Sequence, residues 1–518
     1  MIRIVNAITM GATMQRAFLW SISALALTWA CASPAPVAAQ TPADDVANTR
    51  WQLDAMIHLQ KMRVFPDSDS GAQPTPSVIP QRSMDADSSG VVSTYQPGGA
   101  TLTSSNSFFQ NLGTNGRTCF TCHQPQDGWA VSAQSVQARF NASLGTDPIF
   151  RLVDGATCPT ADVSSLQSKL LAYSLLLSQG LIRIGLPIPV NSEFQVTVVS
   201  DPYNCNTNPA TGLLSPTSGI VSIYRRPLPS ANLGFLSAIM WDGREPNLLS
   251  QSVDATLGHA QANASPTIAQ QQQIVDFENG TFTAQLFDNA ARNLDADGAT
   301  GGPVALQGQL ASFFIGINDP FGLNPTGTPF TPNIFNIYQA WNSLPGPGGL
   351  NKNREAVARG EALFNATQIN ITGVAGLNDV LGVPSFPGFC GTCHDTPNVG
   401  NHSVKAPLNI GIANAGPNSP PALNISGLPV FRLDCMSGPL AGQSFVVTDP
   451  GRALISGKCA DIGKVKGPIL RALAARAPYF HNGSAATLLD VVEFYNQRFN
   501  LGFTEQQKRD LVAFLETL

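Results

Sequence analysis

The sequence predicts a mainly α-helical protein in two halves with long ordered loops, and three observations carry that expectation. At 518 residues the chain exceeds what one hydrophobic core normally serves, so two domains are the natural count. Gly (46) and Pro (39) are abundant, which reads as short helices joined by irregular backbone. The third observation is a repeated pattern, Cys119-Phe-Thr-Cys122-His123 and Cys390-Gly-Thr-Cys393-His394, with one copy in each half. Thiols at this spacing add across the two vinyl groups of a haem, and the adjacent His reaches the iron. A zinc site would want its remaining ligands at a second characteristic spacing, which this chain lacks. Two covalently bound haem c groups are therefore expected, with His123 and His394 as metal ligands, on two cytochrome c-like domains spanning 40–345 and 346–518.

Composition excludes several partners. The net charge is −5 and only 12% of residues are charged, which argues against nucleic acid and against a polybasic membrane surface. The N-terminus carries Arg3 and Arg16, an apolar run from Ala17 to Ala32 and then Val37-Ala38-Ala39, the form of a secretory signal cut after residue 39. No later stretch of about 20 apolar residues exists, so a soluble periplasmic protein without stable membrane insertion is expected. Cys31 leaves with the signal and four cysteines hold haem. The remaining Cys158, Cys205, Cys435 and Cys459 allow three pairings, of which Cys158 with Cys205 and Cys435 with Cys459 keeps each bridge within one half.

The first helix is expected over 42–63, with Asp44 and Asp45 in its first turn and Trp51, Leu53, Met56, Ile57 and Leu59 on its apolar face; His58 reads as a surface or half-buried His. Residues 66–107, rich in Ser, Gly, Pro and Asp, read as an extended loop. Residues 130–224 read as an insertion holding a helical run at 163–179 and a strand-like alternation from Phe194. Helical, Gln-rich sequence is expected over 267–292, and Ser343 to Gly349 is the clearest linker. Beyond it, helices are expected over 351–364, over 488–499 opened by Thr487 with Asp490, and over 504–518. His402 reads as a loop residue.

The order of motifs resembles the bacterial di-haem cytochrome c peroxidase superfamily, which also includes the di-haem enzyme that matures methylamine dehydrogenase and the di-haem rubber oxygenases. The resemblance rests on Cys119 to His123, Met240-Trp-Asp-Gly-Arg244 with Gln251 ten residues after the Trp, Cys390 to His394, and Lys466-Gly-Pro-Ile-Leu-Arg471 leading to Pro478-Tyr-Phe-His481-Asn-Gly483. It implies that peroxide binds at the first haem, that the second receives electrons, and that Trp241 couples them, where the residues alone read Trp241 as core. It also implies that Arg244, Arg471 and His481 contact the cofactors; pairing of Arg244 with Asp242 is the competing reading.

Three departures from the family pattern shape the expected chemistry. No His occurs between His123 and His259, so the distal His that gates many relatives is missing. The catalytic Glu expected about 20 residues after the Trp is Gln261, and an amide cannot shuttle a proton; His259 is the nearest titratable substitute, set against a purely structural His. Where electron-transfer haems of the family use a Met, this chain has Tyr495, whose phenolate lowers the iron potential; Met436 is the alternative ligand. The family often binds calcium near the carbonyls of Arg476 and Pro478, but Arg226 stands where an Asn usually helps, which leaves Ca2+ a weak candidate. The expected activity is reduction of hydrogen peroxide to water through high-valent iron on both haems. Electrons would come from a small donor such as a cytochrome c or a cupredoxin, with a homodimer left open. The alternatives are an oxygenase or protein-modifying oxidase and a plain electron-transfer cytochrome.

Overall fold

The computed structural model describes residues 75–207, 219–346 and 348–518. The signal segment, the helix expected over 42–63 and His58 lie outside the described residues. Among the described residues helices account for 32% and strands for 17%, with thirteen strands in five small antiparallel sheets, which corrects the expectation of a mainly α fold.

Part of the excess of strand comes from two misread stretches. Residues 75–107 form Val78–Ile79, Arg82–Ala86, Gly90–Tyr95 and Thr101–Leu102 rather than loop. Their Val and Thr residues favour strand, and Asp87 builds the turn by accepting from the backbone N of Ser89 and of Gly90, both at 2.8 Å. A Cβ on Gly90 would lie 2.1 Å from the Phe287 carbonyl oxygen, so only glycine lets the neighbouring strand approach. The run 267–292 is helical only over Ile268–Asn279, where Thr267 and Gln270 form a capping box. Gly280 ends the helix, and Phe282–Asp288 becomes a strand between Gly90–Tyr95 and Arg292–Asn293.

A second sheet ties the two halves of the sequence together. Phe194–Ser200 pairs with Val430–Cys435, which in turn pairs with Ser444–Val447. Cys158 bonds to Cys205 and Cys435 to Cys459, with Cα separations of 5.4 and 6.1 Å.

Near the C-terminus the helices Gly349–Ala366, Leu488–Arg498 and Glu505–Glu516 enclose Phe335, Tyr338, Trp341, Phe364 and Phe514. Burying side chains of this size stabilises by roughly 2–3 kcal/mol each. Gly360 lets two of these helices touch, since a Cβ there would sit 2.0 Å from the Asp510 carbonyl oxygen. A second aromatic cluster, Phe108, Phe109, Phe120, Trp129 and Phe277, backs the first Cys-Cys-His motif.

Candidate functional site: two cavities with a shared wall

The two Cys-x-x-Cys-His motifs fold alike. Each begins with a 3-10 turn, Cys119–Thr121 or Cys390–Thr392, and each His N–H donates back to the first Cys carbonyl, at 3.0 and 3.1 Å. The Nδ1 of His123 lies 2.9 Å from the Trp129 carbonyl oxygen, and the Nδ1 of His394 lies 2.6 Å from that of Gly400, six residues on in both cases. A carbonyl only accepts, so Nδ1 carries the hydrogen and Nε2 is left as a free base, the form that ligates iron. Burial pushes His123 down to about 4 and also lowers His394, keeping both rings neutral. Burial pushes the Cys390 and Cys393 thiols up to about 12 and raises Cys119 and Cys122 as well. That environment opposes thiolate chemistry and suits neutral thioethers.

Each motif lines a cavity. Cys119, Cys122 and His123 share theirs with Gln251, Ala255 and His259, whereas Cys390, Cys393 and His394 share theirs with Tyr495 and Phe499. Arg226, Pro227, Trp241, Lys466 and Pro468 belong to both linings, so the cavities meet at one wall. In that wall the Trp241 indole N–H donates to the Arg226 carbonyl at 2.8 Å, and the Trp241 ring meets His481 edge-on with centroids 6.0 Å apart.

The wall is built from a repeated loop. Ile239 bridges Glu245 as Tyr479 bridges Ala485. Met240 and Gly243 (φ 65° and 64°) match Phe480 and Gly483 (φ 64° and 65°), and the helices Leu248–Gly258 and Leu488–Arg498 follow at the same interval. The loops also hold each other: the backbone N of Lys466 donates to the Trp241 carbonyl at 2.8 Å, and that of Arg226 donates to the His481 carbonyl at 2.7 Å. Trp241 and His481 are thus counterparts. Fourteen residues after each, Ala255 stands in the first copy where Tyr495 stands in the second.

The buried cations test whether a haem would fit. Arg226, Lys466, Arg471 and Arg476 line the cavities and are buried or half-buried, and none has a carboxylate in ion-pair contact among the described residues. Lys466 donates to the Ala238 carbonyl at 3.1 Å, and one Arg471 nitrogen, Nη2, is buried without any partner. Burial pushes Lys466 down to about 7 and Arg226, Arg471 and Arg476 down to about 10. Four such groups with no anion would be strongly unfavourable alone. They fit a group that brings its own carboxylates, as haem does through its propionates. Arg225 shows the contrast: it is equally buried but neutralised by Asp242 at 2.5 Å and Asp449 at 2.7 Å.

The expected site residues are placed as follows. Gln251 and His259 line the first cavity, as does Arg244, whose Nη1 also holds Asp242 at 3.0 Å. Gln261 does not reach it: the chain turns through φ 54° at this residue, and the side chain is exposed against Asn115. Arg471 lines the first cavity and His481 the second, where both ring nitrogens of His481 lack hydrogen bonds, its Nε2 lying 3.5 Å from Asp449. Tyr495 lines the second cavity, while Met436 is 61% exposed and absent from its lining. His402 lies in irregular backbone, is buried and lines the second cavity. Sequence reasoning missed Asp154, Arg117 and Glu278, all on the first lining. The repeat of Met240-Trp-Asp-Gly in Phe480-His-Asn-Gly, each followed by Leu-Leu, was the signal that would have exposed Ala255.

No family model matches the chain. A cytochrome-c peroxidase of Denitromonas iodatirespirans is 46% identical over 78 residues, covering 14% of this chain and 21% of that protein. The cytochrome c551 peroxidase of Nitrosomonas europaea is 34% identical over 99 residues, 17% of this chain and 30% of that protein. The chain thus spans about a fifth to a third of the length of these curated relatives. A crystal structure of a MauG-like protein associated with microbial copper homeostasis aligns over 79% of this chain and 85% of its own, at 17% identity and a TM-score of 0.32. Over these matched stretches the chain, with its two haem-type motifs, is similar to cytochrome-c peroxidases.

Proposed function

We propose that the protein is an exported di-haem peroxidase that reduces hydrogen peroxide to two waters, drawing two protons from solvent and two electrons from a small one-electron donor protein. The observation that carries this reading is the pairing of Ala255 with Tyr495. The second site has a ligand-bearing wall, and the first has a methyl group at the equivalent position, with the imidazole of His259 one turn further along.

Covalent haem, held by Cys119 and Cys122 with His123 below and by Cys390 and Cys393 with His394 below, would supply the redox chemistry at each site. The chain's own residues do the rest. Tyr495, on the lining of the second cavity, would ligate the metal there, and Ala255 would leave room for peroxide at the first. The Nε2 of His259 takes a proton from peroxide and returns it to the departing oxygen, which leaves as water. Trp241, in both linings and against His481, would couple the two sites through the shared wall. Arg226 takes over a cation's place in that wall, donating to the carbonyls of Val131, Gln179 (2.9 Å) and Arg476 (2.8 Å), which speaks against a calcium requirement.

Steady-state peroxide consumption by the purified, fully oxidised holoenzyme with a generic one-electron donor tests the reading. Turnover without prior reduction is expected. Absence of turnover, or turnover only after the second haem is reduced, would contradict it. Among the described residues no helix is long and apolar enough to cross a membrane.

A further inference from the structure

The family's acid-base carboxylate is absent at its usual offset, and the first cavity instead carries a three-residue chain of charge-assisted contacts. His259 caps the helix Leu248–Gly258, its backbone N donating to the Ala255 carbonyl at 2.9 Å. Its Nδ1 lies 2.5 Å from Asp154 Oδ2, and Asp154 Oδ1 lies 2.5 Å from Arg117 Nη1. Asp154 and Arg117 are 4% and 2% exposed, whereas the His259 side chain is 35% exposed.

Arg117 has no freedom to leave. Its Nε donates to the Pro148 carbonyl at 2.7 Å, its Nη2 to that of Ile149 at 2.6 Å, and its Nη1 also to that of His259 at 3.3 Å. Asn115 holds the same His259 carbonyl at 2.8 Å. The backbone and ring of His259 are therefore fixed by a segment that lies more than a hundred residues earlier in the chain. Burial by itself would raise the Asp154 carboxyl, but Arg117 and His259 outweigh it and hold it below the usual carboxylate range. An ionised carboxylate only accepts, so Nδ1 carries the hydrogen and Nε2, which makes no hydrogen bond among the described residues, is the free base on the cavity lining.

We propose that Asp154, clamped by Arg117, is the positioning residue that fixes the Nδ1–H tautomer of His259, presents Nε2 to peroxide and stabilises the imidazolium formed when Nε2 takes the proton. The inference rests on the peroxidase reading above. The proton moves from one peroxide oxygen to Nε2 and then to the other oxygen, so the dyad returns to its starting state. The helix C-terminus beneath His259 favours the same positive charge. Other titratable groups around the ring are His123 and Glu278 on the same cavity lining and Arg183, whose charge is felt by Asp154.

The test uses the holoenzyme and two readouts: the pH midpoint of His259, from hydrogen exchange at its ring C2 followed by mass spectrometry, and the pH profile of kcat/KM for peroxide. Asp154→Asn is expected to lower the His259 midpoint by about one unit or more, the scale of losing an adjacent opposite charge. The acid limb of kcat/KM should fall in step, with kcat/KM itself down at least about tenfold. An unmoved midpoint overturns the proposal. A moved midpoint with an unchanged rate and profile also overturns it, because the pair is then only structural. If the Asn variant does not fold, Asp154→Glu keeps the charge but displaces the carboxylate, and wild-type kcat/KM in that variant overturns the proposal. His259→Ala separates the two levels. A rate unchanged by His259→Ala removes His259 as proton carrier, whereas a drop of about 10² to 10⁴ with Asp154→Asn at the wild-type rate removes Asp154 alone. A wild type that consumes no peroxide overturns the peroxidase reading itself.

Discussion

The two cavities begin with the same motif and end with different walls. On the motif side they are near copies: the same 3-10 turn, the same half-buried cysteines and the same Nδ1 contact to a carbonyl six residues on. On the far side of the first cavity stand Ala255 on its helix, His259 at that helix's end, and Asp154 and Arg117 from a segment far earlier in the chain, whereas the counterpart helix offers Tyr495 backed by Phe480, Phe494 and Phe499. The motif half of each site is thus common, and the two sites differ at the position fourteen residues after Trp241 and His481. On the proposed reading a methyl group there leaves space for substrate, while a phenol fills it.

The largest effect should come from erasing that difference. Ala255→Tyr gives the first site the wall of the second, and peroxide turnover should fall by about 10³ if the added phenol holds the site closed by about 4 kcal/mol. Wild-type turnover in that variant would break the equivalence of the two helices. Next in size, Trp241→Phe should slow donor-supported turnover about tenfold, a change of about 1.4 kcal/mol in barrier, while leaving single-turnover reaction with peroxide unchanged. If both rates fall together, Trp241 shapes the first cavity and does not connect it to the second.

A third difference is electrostatic. The first cavity contains Glu278, whose Oε2 has no partner and whose carboxyl burial pushes up to about 8 from the ordinary 4.5. In the folded state it keeps a proton that the unfolded chain loses above about pH 4.5, so its contribution to stability is full below that value and is lost as pH rises towards 8. Glu278→Gln should therefore stabilise by about 2–4 kcal/mol at pH 8 and by little at pH 4.5, read from thermal unfolding at both. Equal shifts at the two pH values would show that the carboxyl is not the cause. The smallest effect belongs to the shared wall: since Arg226 already engages the Arg476 carbonyl, a chelator should leave Tm within about 1 °C and activity intact. Loss of activity on chelation would restore a divalent ion to that wall.

Much of the motif side was legible in the sequence because its chemistry is local. Two thiols and an imidazole at fixed spacing, or Thr487 three residues before Asp490, make contacts within one turn, and the structure places those atoms together. The far wall of the first site was not legible, because Asp154 reaches His259 across 105 residues and no local pattern marks it. Counting from a family spacing misled at Gln261, where a single left-handed residue turns the side chain away from the cavity. The strands at 82–95 and 282–288 were missed because Ser- and Gly-rich turns and the preceding helix masked the short alternation of Val, Thr and Phe. Spacing did not show that Tyr495 lines the second cavity while Met436 is 61% exposed and outside that lining.

Electron paramagnetic resonance of the oxidised holoenzyme, wild type beside Tyr495→Ala and Ala255→Tyr, tests the difference between the two walls most directly. The account predicts one high-spin and one low-spin ferric signal in the wild type. It predicts two high-spin signals when Tyr495 is removed, and two low-spin signals when a phenol is placed at position 255. Two low-spin signals in the wild type, or a low-spin signal that survives Tyr495→Ala with the sulfur-to-iron charge-transfer band of a methionine ligand, would contradict it.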